Sequence, residues 1–172
     1  MPDAVRDNER MRISLMEPFI YPRVANYYET DQMGVIHHSN YIRWMEEARV
    51  AWMNALGFGY KQMEACGVVS PVVGISLSYH RPVHFDDSVE IGVRVEKYTG
   101  VVLELAYEVR LRGSEKICTR GTSRHCFLQD GRTVSLRKAL PEMDRILQNQ
   151  LPQDREASTP ENEHDVSNQR KE

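Results

Sequence analysis

The sequence predicts an α+β domain, and three observations predict it. One long stretch, 39–56, carries apolar residues at helical spacing; four later runs alternate apolar with polar residues; and the breaks between those runs are short. A single helix with one apolar face, followed by one antiparallel sheet, buries that face by lying across the concave side of the sheet.

Each element has its own cue. Residues 19–29 read as a first strand, and Pro22, which cannot donate to a ladder, assigns it to a sheet edge or a bulge. In the helix, Tyr41, Met45, Ala48, Trp52 and Ala55/Leu56 recur at spacings of three and four, with Gly57 as its stop. Ser39 or Asn40 serves as N-cap, and Trp44 and Trp52, with Met45 and Met53 beside them, read as core. A short helical piece follows near 60–66. The four alternating runs are 72–83, then Val89, Ile91, Val93 and Val95, then 101–111, then 117–128 with a turn at Asp130-Gly131. Tyr98-Thr99-Gly100 and Arg112-Gly113-Ser114 are the short breaks, so the strands meander antiparallel. Residues 141–151 close the domain as a helix. Such a sheet has open edges, for which self-association is the usual remedy.

The chain has 172 residues, enough for one domain with a substantial core. It is 41% hydrophobic and 27% charged, with a formal net charge of −3. Residues 152–172 hold six acids and three bases, which accounts for all of that charge. The remainder is neutral, against the basic face a general nucleic-acid binder needs. We expect a flexible segment over 1–16, a folded domain over 17–151 and a disordered polar tail over 152–172. Cys66, Cys118 and Cys126 form no CxxC pair, and no apolar stretch approaches the roughly 20 residues of a membrane span. The N-terminus lacks the apolar core of a secretory signal, so the expected address is cytoplasmic.

The candidate chemistry concentrates in residues 27–49. Asp31 stands at a strand-to-helix junction, where it is either a turn aspartate or an acid beside the free N–H groups of a helix start. His37 and His38 are adjacent and point apart, which suits a pocket residue better than joint chelation; no metal site and no cofactor are expected. Glu46 and Glu47, with Arg43 and Arg49 near them, read as a solvated helix face with local ion pairs, one of the glutamates being the reserve catalytic acid. Arg120 and Arg124 share a strand face, either as a phosphate clamp or as surface charge. Phosphate-binding glycine loops and the GxSxG elbow are absent.

Residues 27–49 resemble the signature of the acyl-CoA thioesterases of the 4-hydroxybenzoyl-CoA thioesterase/YbgC-like group. The matching positions are Asp31, Gly34, Val35, His38, Asn40, Tyr41, Trp44, Met45 and Glu46, and Arg81-Pro82-Val83-His84-Phe85-Asp86-Asp87 resembles a second, turn-forming element of that group. The resemblance spans residues 17–150 and implies a hotdog fold, a five-stranded antiparallel sheet wrapped around a long central helix. It implies thioester hydrolysis with Asp31 as general base or nucleophile, the His38 backbone N–H polarising the carbonyl, and the His38 ring and Tyr27 orienting acid or water. Gly34, Val35, His37 and Asn40 are the implied substrate-binding positions, with Arg120 and Arg124 the candidates for the nucleotide phosphates. The implied partner is a small-molecule acyl-CoA, with acyl carrier protein as an alternative carrier, and the implied assembly is a homodimer or homotetramer. Gln32-Met33 replaces smaller residues of the group and narrows the expected acyl pocket; His37 replaces an aromatic or aliphatic residue. Two readings rival hydrolysis. One is a hotdog hydratase, whose Asp-x-Asn-x-x-His and His-Phe-x-x-x-x-Pro patterns are missing; the other is a non-hydrolytic acyl-CoA or acyl-carrier binding protein.

Overall fold

The computed structural model describes residues 18–151, so the expectations for 1–16 and for the 152–172 tail lie outside the described residues. The elements in chain order are β1 (Phe19–Val24), α1 (Asn40–Ala55), α2 (Tyr60–Ala65), β2 (Val68–Val69), β3 (Val72–Tyr79), β4 (Ser88–Tyr98), β5 (Val102–Leu111), β6 (Ile117–Cys126), β7 (Leu128–Gln129), β8 (Arg132–Thr133), α3 (Leu136–Ala139) and α4 (Pro141–Gln148). Five strands form one antiparallel sheet in the order β1-β4-β5-β6-β3, so β1 and β3 are its edges. Pro22 therefore sits on an edge strand, opposite Glu90, as its missing N–H requires.

α1 lies on this sheet as its periodicity dictates. Tyr41, Trp44, Met45, Ala48, Trp52 and Met53 are buried, and Ile42, Arg43, Glu46 and Asn54 face outward. The buried face joins Ile91, Val93, Val95, Leu103, Leu105 and Tyr107 in one core. Contact is close at Gly121: a Cβ there would meet Leu77 Cδ2 and Met45 Sδ, each at 2.8 Å. The glycine is what lets the helix approach β6.

Several boundaries differ from the sequence reading. The first strand ends at Val24 and the chain turns through a 3₁₀ turn at Tyr27–Glu29. The cause is Glu29, whose Oε2 accepts the Asn26 N–H at 2.8 Å and bends the backbone out of the sheet. The run expected over 72–83 stops at Tyr79, because the N–H groups of His80 and Arg81 both turn to the Cys118 carbonyl. The run expected over 117–128 breaks at Phe127, and β7 joins β2 and β8 in a small second sheet that the sequence reading missed along with α3. The Asp130-Gly131 turn joins β7 to β8 with positive φ at both residues (52° and 74°), the geometry of a two-residue hairpin.

Arg49 also departs from expectation. It is buried rather than part of a solvated face; its Nη1 donates to His125 Nδ1 at 2.7 Å and its guanidinium lies 5.1 Å from the Tyr60 ring centroid. Because a guanidinium only donates, the other His125 nitrogen carries the proton toward Ser123 Oγ (2.7 Å), which in turn bonds Tyr107 OH (2.9 Å). Burial, reinforced by the Arg49 charge, pushes His125 down to about 3, so the ring stays neutral.

Candidate active site

The segment between β1 and α1 is a small hairpin closed on itself. The Asp31 N–H donates to the Val35 carbonyl (2.9 Å) and the Gly34 N–H returns to the Asp31 carbonyl (3.0 Å), with Gly34 at φ 75° making the reversal. The hairpin is tied down on both sides. Ile36 N–H donates to Val83 O at 2.8 Å, in the turn segment after β3, and His37 N–H donates to Glu29 O at 2.9 Å. Asn40 Nδ2, buried at the first turn of α1, donates to the same Glu29 carbonyl at 2.8 Å. The second motif turn closes the base of this arrangement: Asp86 N–H donates to Ala25 O and Ala25 N–H to Asp87 O, both at 2.9 Å.

Glu29 is the hub. It is 3% exposed, and its carboxylate accepts from Asn26 N–H, Trp44 Nε1 (2.8 Å) and Arg23, whose guanidinium also reaches Glu47 and lies 5.0 Å from the Trp44 ring centroid. Burial alone would raise the Glu29 carboxyl, but the Asn26, Trp44 and Arg23 donors outweigh it and hold it below the ordinary glutamate range. Sequence reasoning did not single out Glu29, because nothing in the local pattern distinguishes a buried acid.

Asp31 is half-buried; its Oδ1 accepts the Met33 N–H at 2.8 Å, and its Oδ2 accepts no hydrogen bond from the described residues. It lines a cavity of about 340 Å³ with Met33, Val35, Ile36, His38, Tyr41, Tyr79, His80, Arg81 and Pro82. The His38 N–H has no acceptor among the described residues, while its carbonyl accepts the Tyr79 hydroxyl at 3.0 Å. Tyr79 ends the edge strand β3, so that bond fixes the start of α1 against the sheet. The His37 and His38 rings do not point apart as expected but lie side by side, centroids 4.0 Å apart and tilted by 32°, because the chain here is a turn rather than helix or strand; His37 Nδ1 bonds Ser39 Oγ at 2.8 Å instead of leaving Ser39 to cap the helix. Among the described residues, no three His, Cys, Asp or Glu side chains gather as a metal-ligand set.

The structure thus brings Asp31, His38 and Val35 to one cavity, with Gly34 supplying its turn, Asn40 anchoring the helix start beneath it and His37 stacked on its wall. It does not bring Tyr27, Arg120 or Arg124 there. Tyr27 is 75% exposed and sets its ring edge against Phe85, centroids 5.5 Å apart. Gly121 and Ser123 face the helix, so Arg120 and Arg124 face the opposite side of the sheet. There they pair with the glutamates directly across on β5, Glu108 at 3.2 Å and Glu104 at 3.4 Å. Tyr41, Tyr79, His80 and Arg81 also line the cavity, though the sequence reading gave none of them a site role: Tyr41 stood there as a core and motif position, Arg81 opened the 81–87 turn, and no signal marked Tyr79 or His80.

The model of the thioesterase superfamily matches residues 33–118. A Bacillus subtilis (strain 168) protein assigned as acyl-CoA thioesterase YneP is 37% identical over 69% of this chain and 86% of its own length. The chain belongs to the thioesterase superfamily. It carries the hotdog fold of that superfamily and is a thioester hydrolase. Among solved structures, a hypothetical protein from Aquifex aeolicus is 31% identical, with TM-score 0.71, over 76% of this chain and 99% of that one. The DHNA-CoA thioesterase from Staphylococcus aureus is 30% identical, with TM-score 0.72, over 75% and 87%. The five-stranded sheet around one central helix, expected from the sequence, is thus the superfamily's architecture.

Proposed function

We propose that this thioesterase hydrolyses acyl-CoA esters in the Asp31 cavity, with Asp31 driving attack and the His38 N–H accepting the developing oxyanion. The observation that carries the reading is their pairing: Asp31 and His38 line the same cavity, and among the described residues one Asp31 carboxylate oxygen has no hydrogen-bond donor and the His38 backbone N–H has no acceptor. Acting as base, Asp31 takes a proton from water as the water oxygen bonds the carbonyl carbon. The carbon–sulfur bond then breaks, and the thiolate recovers that proton to leave as CoA beside the free acid. Acting as nucleophile, Asp31 bonds the carbonyl carbon through a carboxylate oxygen and the carbon–sulfur bond breaks, expelling the CoA thiolate and leaving an anhydride; water then opens the anhydride to the free acid and the Asp31 carboxylate, and its released proton neutralises the thiolate. The His38 ring lies at the cavity wall to orient the water. Tyr79, holding the His38 carbonyl, fixes the peptide that follows the oxyanion donor.

A second copy of the chain completes the assembly in this reading, as a dimer or a pair of dimers. The β3 edge pairs on one side alone, and Val73, Ile75 and Tyr79 stand exposed along it. Acyl carrier protein remains the alternative carrier, and a cytoplasmic address goes with a CoA substrate. Release of thiol from a panel of acyl-CoAs tests the reading. Wild type cleaves at least one member, and Asp31→Asn lowers its turnover by roughly 10² to 10⁴. Full turnover by Asp31→Asn would sink the mechanism, and tight binding without cleavage would favour a non-hydrolytic binding protein.

A further inference from the structure

The sequence offers Ser39 as the cap of α1, and the structure does not use it. Ser39 stands at helical φ and ψ (−68° and −23°), and its hydroxyl caps none of the first-turn N–H groups. A capping residue is ordinarily extended, which turns its side chain back onto the helix. Here the capping is done two residues earlier, by His37. Its carbonyl accepts the Asn40 N–H at 2.9 Å and its Nδ1 accepts the Ser39 N–H at 3.3 Å. The His37 N–H itself donates to Glu29 O at 2.9 Å, which ties the capping residue to the buried hub. Of the N–H groups of residues 37–40, that of His38 alone has no acceptor among the described residues.

The same bonds fix the His37 ring. A backbone N–H only donates, so the nitrogen facing it must accept, and His37 Nδ1 carries no proton. The Ser39 hydroxyl therefore donates to it as well, at 2.8 Å, and the ring proton sits on Nε2. Two donors on one nitrogen set the rotation of the imidazole. The ring so held lies beside that of His38, centroids 4.0 Å apart, and His38 lines the cavity with Asp31.

We propose that His37 is a positioning residue of this site, in place of the substrate contact that the resemblance implies; the proposal rests on the thioesterase reading of the same cavity. Its acceptors take up the Ser39 and Asn40 N–H groups and set the turn that presents the His38 N–H to the developing oxyanion. Its ring seats the His38 ring against the cavity. A donor fixed before substrate arrives needs no reorganisation as charge develops, whereas a loosened one loses part of its effect on the transition state. Spending the cap on His37 rather than Ser39 departs from the local rule for helix starts, and such departures concentrate at functional sites.

The test is thiol release from the best-cleaved member of a panel of acetyl-, hexanoyl-, palmitoyl- and benzoyl-CoA. It is run well below the unfolding midpoint of each variant, with kcat and KM read separately. His37→Ala loses acceptor and ring together; it lowers kcat about tenfold or more and leaves KM within about twofold. His37→Phe keeps a stacked ring without the acceptor, and His37→Asn keeps an acceptor for the Ser39 N–H without the ring. Each falls between wild type and His37→Ala. Nitrogen NMR of the histidines finds the proton of the neutral His37 ring on Nε2. Wild-type kcat in His37→Ala overturns the assignment, whether the variant unfolds earlier, as a merely structural cap would have it, or shows a raised KM, as a substrate contact would. A proton on Nδ1 overturns it as well, and so does wild-type kcat in either of the other two variants. Those results leave hydrolysis standing, whereas cleavage of none of the esters by wild type overturns the hydrolase reading and this one together.

Discussion

Glu29 and Asp31 are two carboxylates two residues apart in the chain, and the fold treats them in opposite ways. Glu29 is buried under three donors and fastens β1, the 3₁₀ turn and α1 together. Asp31 accepts one backbone N–H through Oδ1, lines a cavity, and has no donor to Oδ2 among the described residues. A carboxylate saturated with donors is stable and inert; one left partly unsatisfied can still take a proton or attack a carbon. The inert acid also serves the reactive one, because the Glu29 carbonyl accepts the His37 and Asn40 donors that set the helix start beside Asp31.

The contrast can be broken in four ways. The largest effect belongs to Asp31→Asn, with turnover down by roughly 10² to 10⁴ and thermal unfolding nearly unchanged. A large fall in stability would mean that Asp31 is a structural acid like Glu29. Next is Glu29→Gln, expected to cost roughly 3 kcal/mol in urea unfolding. That is the low end for breaking a buried pair, since Glu47 still faces Arg23. A loss under about 0.5 kcal/mol, the scale of an ordinary surface change, would refute the hub.

The third concerns acid. The folded Glu29 carboxyl lies below its unfolded value, so its contribution is fully present above the ordinary glutamate range and is lost as pH falls through the lower folded value. Urea midpoints followed down through that window should fall more steeply for wild type than for Glu29→Gln; parallel curves would show that the Glu29 pKa is not depressed. The smallest effect is that of Arg124→Gln on the outer face, whose exposed pair with Glu104 is worth about 0.2 to 1 kcal/mol. A larger loss in thermal unfolding would show that the outer face is more than solvated charge.

Much of this was legible in the linear pattern, for identifiable reasons. Trp44, Met45, Ala48, Trp52 and Met53 repeat at helical spacing, so their burial follows from geometry alone. Asp130-Gly131 reads as a turn because both positions tolerate positive φ. Asp31 stands out because a turn acid, a glycine and a helix start occur together. Arg49 was misread because its helical position fits a solvated face as well as a buried one; His125, which receives it, is far away in sequence. Arg120 and Arg124 show the same limit, since alternation says that they share a face without saying which one. Their cross-strand glutamates decide the matter, and those depend on the register of β5 against β6.

The sequence by itself determined the order of elements, the buried stripe of α1 and the acid at its threshold, because local spacing and turn chemistry act over a few residues. Only the tertiary structure decided which polar groups meet. Glu29 became a hub through Trp44 and Arg23, and Tyr79 at the end of an edge strand came to hold the His38 carbonyl at the start of α1. Those meetings follow from strand register and from the depth at which Gly121 lets the helix settle. Neither is set by spacing along the chain.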